Sequence, residues 1–275
     1  MEGFSDFPGM HSTIAVRAER YFWNWGEIVM GIKTGLRTNP FARSVREFLS
    51  RIISGVDSPF TSIVQNLKES NISSVLDVGA NVGQFGIDIR RYGFQGQIVS
   101  YEPVSKTYGL LSHTIRRHQP WKAFQLGLGA EESERSINIS GNDGLSSSLL
   151  KMGSVHLENF PGSATVSQQT ISISTIDRQL EILEIRPQEL LLKLDVQGFE
   201  AEVLRGASQS LSKIPLCYLE VSITPLYEGE ITFLPILMEL SKYGHEVVDV
   251  FRGIKTKKGQ LLQLDILTKL KKGLM

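Results

Sequence analysis

The stretch Val75-Leu-Asp-Val-Gly-Ala-Asn-Val-Gly83 carries more structural information than any other part of this 275-residue chain. Its first residues read as the end of a short apolar strand, and Asp77 stands at the carboxyl end of that strand. Gly79 and Gly83 permit a tight turn and a close approach of the backbone to a ligand. From Gln84 onward, apolar residues recur at helical spacing. Strand, glycine loop and helix are typical of the first half of a nucleotide-type βαβ unit.

The acids around this loop indicate the kind of ligand. The next predicted strand, residues 97–101, ends in Glu102, which is placed to accept hydrogen bonds from two ribose hydroxyls, and Pro103 halts the strand. A dinucleotide fingerprint would need glycine where Asn81 stands, and the carboxylate of Asp77 would repel a pyrophosphate. That carboxylate can instead accept hydrogen bonds from an amino-acid ammonium. A ligand with an amino-acid end and an adenosine end fits both acids, which predicts S-adenosylmethionine (SAM) as the cofactor.

The composition excludes several classes of function. The chain has 29 basic and 29 acidic residues, and this balance argues against a nucleic-acid protein that binds by neutralising phosphates. Cys217 is the only cysteine, so no disulfide or cysteine metal cluster is expected, and its apolar neighbours predict a buried thiol. The sequence shows no signal peptide and no apolar run long enough to span a bilayer, so we expect a cytoplasmic protein.

Residues 1–70 form a predicted N-terminal helical extension, and residues 71–275 form the main domain. Helices are expected at 14–36, 41–53 and 59–69, the first of them with aromatic residues crowded near its middle. Three interpretations of that first helix stay open. It packs on the main domain, forms a homodimer contact, or lies weakly on a membrane surface.

The segment after the second strand contributes further candidates. A third strand is expected at 122–126, followed by a turn in which Gly127 and Leu128 could lie against an adenine edge. The turn-rich residues 141–148, which include Ser147, are either a solvent loop or a substrate-facing loop. Loops over a rigid sheet commonly carry binding residues, which supports the second interpretation.

The same segment predicts little regular structure apart from two short strands. Residues 136–139 are expected to form a short extra strand, and residues 152–167 an irregular segment. Residues 170–174 alternate like an edge strand, and a helix follows at 176–185.

A second chemical stretch runs through residues 190–200. Its first five residues read as a buried parallel strand, in which Lys193 is out of place because a buried ammonium is costly unless it is paired. Asp195 follows at the carboxyl end of the strand, where open α/β sheets bind ligands. Glu200 opens the next helix, either as a group that favours the helix N-terminus or as a site residue. Lys193 and Asp195 together predict a role in the site.

The C-terminal third completes the predicted sheet. The fifth strand of the predicted central sheet, residues 216–220, again ends in an acid, Glu220. The last two predicted strands, 246–251 and 260–267, are joined by a segment too short for a helical crossover, so they should be antiparallel. The whole pattern predicts an α/β fold with a doubly wound, mostly parallel sheet that ends in an antiparallel pair. This is the outline of the Rossmann-like sheet of class I methyltransferases.

Four segments of the sequence resemble the FkbM family of methyltransferases. They are the glycine loop at 75–83, Tyr101-Glu-Pro103, residues 192–207, and residues 219–222 with the Pro-Leu-Tyr that follows at 225–227. The resemblance extends over roughly residues 75–270 and implies a class I SAM-dependent fold and transfer of a methyl group to an oxygen. Acceptors known in the family include macrolide hydroxyls and the sugar hydroxyls of glycans and glycolipids.

Candidate site residues follow from the resemblance and from the predicted loops. Cofactor contacts are expected from Asp77, Gly79, Ala80, Asn81, Gly83, Glu102 and Pro103. Substrate contacts are expected from Ser147, Gln197, Glu200 and Tyr227. Many members of the family have glutamate where this chain has Gln197, so removal of a proton at that position would need another group here.

The resemblance implies an alcohol acceptor, which must lose its proton during methyl transfer. A positioned base supplies roughly 10²–10⁴-fold in rate, and Asp195 is the first candidate. Lys193 either orients Asp195 or acts as the base itself if burial depresses its pKa, and Glu220 is the third candidate. A divalent ion held by Asp195 and Glu220 ranks lower, because the sequence shows no further clear ligand. A non-catalytic SAM-binding or assembly protein and a nicotinamide-dependent oxidoreductase stay as alternative functions.

Overall fold

The computed structural model of the protein describes residues 58–271. The predicted helices at 14–36 and 41–53 lie outside these residues, as do the three interpretations of the first helix, namely packing on the main domain, a homodimer contact and a membrane-surface contact. The third predicted helix is present as α1, Pro59–Glu69.

A seven-stranded sheet forms the centre of the protein, in the spatial order β3-β2-β1-β7-β8-β10-β9. Six of the seven strands run in the same direction, and β10 is antiparallel to both of its neighbours. The strands are β1 Ser74–Val78, β2 Gln97–Tyr101, β3 Trp121–Phe124, β7 Leu190–Leu194, β8 Leu216–Ser222, β9 His245–Arg252 and β10 Gln263–Leu270. This topology confirms the predicted class I methyltransferase fold with its final antiparallel pair.

Helices cover both faces of this sheet. Besides α1, the helices are α2 Gln84–Arg91, α3 Ser105–Ile115, α4 Ser154–Asn159, α5 Ile176–Ile182, α6 Glu200–Arg205 and α7 Phe233–Lys242. Successive side chains of a strand point to opposite faces of the sheet, and both faces are apolar here. Leu191 packs toward α1 to α3, whereas Leu190 and Leu192 pack toward α5 to α7. In residues 58–271, no helix is both long and apolar enough to cross a bilayer.

A second, three-stranded sheet has the order β4-β6-β5 and corrects three local predictions. Its strands are β4 Gly127–Leu128, β5 Ser133–Ser140 and β6 Thr165–Ser174. The segment predicted as a turn at residues 127 and 128 is therefore a short strand, and the predicted edge strand at 170–174 is the middle strand. The segment 152–167 was expected to be irregular, but it contains α4 and the start of β6. In each case, partners distant in sequence organise a segment whose local pattern is weak.

Helix α2 requires glycine at position 86 because it packs closely against β3 there. A Cβ atom on Gly86 would overlap the indole ring of Trp121, which is only 2% exposed. Gly109 lies in the exposed face of α3, where an added Cβ would meet no atom within 4 Å.

These two helical glycines provide a matched test of the packing. Gly86→Ala should lower the free energy of unfolding by about 1–3 kcal/mol because the core must shift. Gly109→Ala should raise it by about 0.5–1 kcal/mol, since alanine loses less backbone entropy on folding. Urea unfolding followed by circular dichroism measures both changes. Equal stabilities for the two variants would contradict the packing of Trp121 against α2.

Candidate active site

The candidate site lies at the carboxyl edge of the central sheet. Because β1, β2, β7 and β8 run parallel, their carboxyl ends meet at the same edge. Each of these strands has an acid near or just beyond its carboxyl end. These acids are Asp77 in β1, Glu102 after β2, Asp195 after β7 and Glu220 in β8. The predicted acids are therefore brought together by strand direction alone, and their roles depend on what each one contacts.

The backbone N–H groups of the glycine loop donate hydrogen bonds to acceptors within the protein. The N–H groups of Gly79 and Ala80 donate to Tyr101 O at 3.0 and 3.1 Å, and that of Asn81 donates to Glu102 Oε2 at 3.0 Å. The N–H of the next residue donates to Asn81 Oδ1 at 2.8 Å, and that of Gly83 donates to Ala80 O at 2.9 Å. No N–H of residues 79–83 is left to bind a pyrophosphate, which agrees with the departure from a dinucleotide fingerprint.

The fold itself requires the glycines of this loop. Gly79 has a φ of 74°, and a Cβ atom there would overlap the backbone carbonyl of Asp195. Gly83 has a φ of 92° and precedes α2. The close approach at Gly79 is therefore between the loop and the exit of β7, whereas the sequence predicted a close approach to a ligand.

Lys193 and Asp77 form a buried ion pair beneath the loop. Lys193 Nζ lies 2.9 Å from Asp77 Oδ1 and donates to Gly79 O at 2.9 Å, while Ser100 Oγ donates to Asp77 Oδ2 at 3.2 Å. Asp77 is fully buried. The ammonium group beside Asp77 in the structure is thus that of Lys193, and contact of Asp77 with the amino-acid end of a cofactor stays a prediction.

The same pair decides the protonation state of Lys193. Burial by itself lowers the pKa of the Lys193 ammonium, but the charges of Asp77 and Asp195 outweigh burial and raise the pKa above its ordinary value. Lys193 therefore stays charged at neutral pH. This direction is the opposite of the depressed pKa that a lysine base would need.

Glu102 is held rigidly where β2 ends. Its Oε2 accepts from Asn81 N, and its Oε1 accepts from Val104 N at 2.9 Å. Burial raises the pKa of the Glu102 carboxyl to about 7, although these two backbone hydrogen bonds oppose the shift. The carboxyl group therefore changes charge close to physiological pH.

The loop after β7 carries Asp195 into the cleft. Its side chain is 38% exposed, and Oδ2 lies 3.7 Å from Lys193 Nζ. The buried Glu200 accepts through Oε1 from Val196 N at 2.9 Å and from Gly198 N at 3.3 Å. Burial raises the pKa of the Glu200 carboxyl to about 8. Glu200 thus closes the loop on itself, and its contact with substrate stays a prediction.

Gln197 and Tyr227 contact protein groups where substrate contacts were predicted. The amide of Gln197 donates through Nε2 to Asp195 Oδ1 at 2.7 Å and to Glu220 Oε2 at 2.9 Å. The hydroxyl of Tyr227 donates to Gln197 Oε1 at 2.8 Å and lies 3.2 Å from Ser146 O. Tyr227 is 1% exposed, so it supports the site from behind.

Glu220 has a different environment from Asp195. Burial raises the pKa of the Glu220 carboxyl well above its ordinary range, and the neighbouring Asp195 and Asp265 raise it further. Asp265 lies opposite Glu220 in the pairing of β10 with β8, and burial raises the pKa of the Asp265 carboxyl to about 6. The neutral acid is therefore the favoured form of Glu220 at neutral pH.

Five other predicted residues have mainly structural environments. Ala80 and Leu128 are buried in the core, and a Cβ atom on Gly127 would press on Ile173. Pro103 accepts through its carbonyl oxygen from a glutamine side chain of β6 at 3.2 Å. Ser147 accepts through Oγ from Ser140 N at 3.2 Å, within its own loop. No ligand contact is needed to explain these positions.

Sequence reasoning missed several polar residues that complete the site. Ser100 lies beside Asp77 in the pairing of β2 with β1, and Ser148 Oγ donates to Gln197 O at 2.7 Å. Gln263 donates through Nε2 to Glu220 Oε2 at 3.1 Å, and Asp265 faces the same acid. A polar residue inside an otherwise apolar strand was the available signal for Ser100 and Asp265, as it was for Lys193.

The chemistry of this edge fits a cofactor such as SAM. The carboxyl group of Glu102 offers acceptors to hydroxyl groups, and the glycine loop has no free N–H group for a phosphate. Asn81 has a φ of 48° and is partly exposed. This edge of the sheet therefore suits a nucleoside that carries no phosphate.

Comparisons with known proteins agree with this chemistry. The 2-O-methyltransferase NoeI of Sinorhizobium fredii is 24% identical over 231 residues, covering 77% of this chain and 90% of NoeI. Methyltransferase 1 of Beauveria bassiana is 29% identical over 147 residues, covering 49% of this chain and 58% of that protein. Methyltransferase sdnD of Sordaria araneosa is 27% identical over 162 residues, covering 49% and 60%. The chain thus matches less than two thirds of the length of the last two relatives.

Solved structures of methyltransferases also resemble the protein. Magnesium protoporphyrin IX methyltransferase from Synechocystis, with bound SAM, has a TM-score of 0.44 and 12% identity, covering 97% of this chain and 100% of that chain. The sequence model of the methyltransferase FkbM domain matches residues 77–247, which is more than half of the chain. The protein therefore belongs to the FkbM family of SAM-dependent methyltransferases.

Proposed function

We propose that the protein is a SAM-dependent O-methyltransferase that acts on a hydroxyl group of a sugar, a glycan or a secondary metabolite. The observation that carries this proposal is the half-exposed carboxylate of Asp195, held 3.7 Å from the charged Lys193 at the carboxyl edge of the sheet. The printed name of NoeI, a 2-O-methyltransferase, supports transfer to oxygen.

The cofactor would be held by the edges of the glycine loop and β2. Glu102 would accept hydrogen bonds from the ribose hydroxyls, because both carboxyl oxygens are fixed and each keeps a further lone pair. Gly79, Asn81 and Pro103 would line the nucleoside and amino-acid ends. When bound, SAM supplies a methyl group on a sulfonium, a leaving group that needs no proton.

The side chains of this chain would then handle the acceptor and its proton. The cleft must hold the hydroxyl oxygen roughly 3 Å from the methyl carbon. Asp195 would take the hydroxyl proton as the new oxygen–carbon bond forms. Lys193 would stay protonated and keep Asp195 oriented, and Glu220 would stay neutral, because burial raises the pKa of its carboxyl group. Of the three predicted candidates, Asp195 is therefore the one suited to act as base.

Ligand affinity should depend on pH through Glu102. Its carboxyl has a pKa of about 7, so it is mostly ionised at pH 8 and mostly protonated at pH 6. The affinity for 5′-methylthioadenosine, which has the ribose hydroxyls but no titrating amino group, should fall about tenfold from pH 8 to pH 6. Calorimetric titration at each pH measures this change. Glu102→Gln should bind weakly with no pH dependence, and a pH-dependent variant would contradict the assignment.

Asp195→Asn should separate binding from chemistry. The shape of the side chain is kept, so SAM affinity should change by less than about threefold, whereas turnover should fall by roughly 10²–10⁴ because the base is lost. Transfer of radioactive methyl from SAM to a panel of saccharides and polyketide alcohols measures turnover. Glu202→Gln, an exposed carboxyl group on α6 paired with Arg205, is the matched control.

Three outcomes would overturn the proposal. Full turnover by Asp195→Asn would remove Asp195 as base. SAM binding by the wild type without methyl transfer to any acceptor of the panel would favour the alternative of a non-catalytic SAM-binding protein. Tight binding of NAD in place of SAM would favour an oxidoreductase.

A further inference from the structure

The side-chain amide of Gln197 stands between two carboxyl groups. Its Nε2 donates to Asp195 Oδ1 at 2.7 Å and to Glu220 Oε2 at 2.9 Å, and its Oε1 accepts from the hydroxyl of Tyr227 at 2.8 Å. A primary amide has two N–H donors, so these contacts use both of them. The side chain has no donor left to offer to a methyl acceptor.

The backbone fixes the amide in this position. Gln197 has a φ of 55° and is followed by Gly198 with a φ of 94°. The carbonyl oxygen of Gln197 accepts from Ser148 Oγ at 2.7 Å, and Glu200 accepts from the N–H groups of Val196 and Gly198. Contacts from three separate segments therefore hold the loop, and the amide has little freedom to turn away.

Two carboxyl groups that face one point are accommodated by protonation of one of them, by positive charge, or by hydrogen-bond donors between them. Divalent cations commonly meet this need with carboxylate ligands. We propose that Gln197 is a positioning residue whose uncharged amide takes the place of a bridging divalent cation and orients Asp195 without a metal. Residues 58–271 contain no group of three His, Cys, Asp or Glu side chains arranged to hold a metal ion, and Gln197 stands where a third carboxylate would create one.

The proposal predicts that one substitution creates a cation site. Gln197→Glu places a third carboxylate between Asp195 and Glu220, so the variant should bind Mn²⁺ at least tenfold more tightly than the wild type. Gln263→Glu is the matched control: Gln263 donates to Glu220 Oε2 at 3.1 Å but does not bridge to Asp195. It adds the same charge beside the same acid, and its Mn²⁺ affinity should stay within about threefold of the wild type. Calorimetric titration with MnCl₂ measures all three proteins.

Gln197→Gly keeps the test decisive if the glutamate variant does not fold. Glycine tolerates the positive φ of this position, and the substitution removes the one amide that donates to both carboxyl groups, while Gln263 still donates to Glu220. Mn²⁺ affinity should then rise at least threefold. Circular dichroism verifies that each variant is folded.

Two results would overturn the proposal. The first is a folded Gln197→Glu variant that binds Mn²⁺ no more tightly than the wild type. The second is a folded Gln197→Gly variant with no gain in Mn²⁺ affinity.

This role rests on the proposed function only in naming Asp195 as the group that is oriented. The cation titration needs neither an acceptor nor turnover. Unchanged turnover by Asp195→Asn would therefore overturn the proposed function and leave the cation result standing. Conversely, a failed cation titration would leave the proposed O-methyl transfer intact.

Discussion

The buried ion pair between Lys193 and Asp77 is the interaction on which the site depends. It joins the adjacent strands β1 and β7 at the point where the cleft opens, and Lys193 also donates to Gly79 O at 2.9 Å. Removing one partner of such a pair typically costs about 3–5 kcal/mol, because the other charge stays buried and unpaired. The glycine loop, the strand beneath it and the exit of β7 are therefore held as one unit, and the charged Lys193 also faces Asp195.

Burial then divides the acids of the carboxyl edge into different roles. Glu102, Glu200 and Glu220 are removed from water, and the pKa of each carboxyl group is raised as a result. Asp195 keeps 38% of its side chain exposed and lies beside an ammonium. One edge of one sheet thus holds acids that are removed from water and one acid that stays accessible to it. That difference is what makes Asp195 the best-suited base in the proposed reaction.

Much of the fold was predictable because its central strands are short, apolar and bounded by glycine, proline or acids. The predicted bounds of β2 and β7 agree with the structure, as does the start of α2 at Gln84. The second sheet was predicted only in part. Strand β4 has two residues, and the N-terminal half of β6 is exposed without alternation, so only pairing with neighbouring strands defines these segments. The local pattern of apolar residues predicts secondary structure where burial imposes a period on it. It does not predict secondary structure where pairing with a distant strand determines the conformation.

The sequence by itself determined the order of strands and helices, the family, and which chemical groups reach the carboxyl edge. These features follow from periodicity and from residue types at strand ends, both of which are local. Only the tertiary structure decided what each group does there. Asp77 meets Lys193, Glu200 meets its own loop, and Gln197 meets two carboxyl groups. The physical reason is that a buried polar group must find its partner within about 3 Å, and that partner belongs to a segment whose position is set by strand pairing across the whole chain.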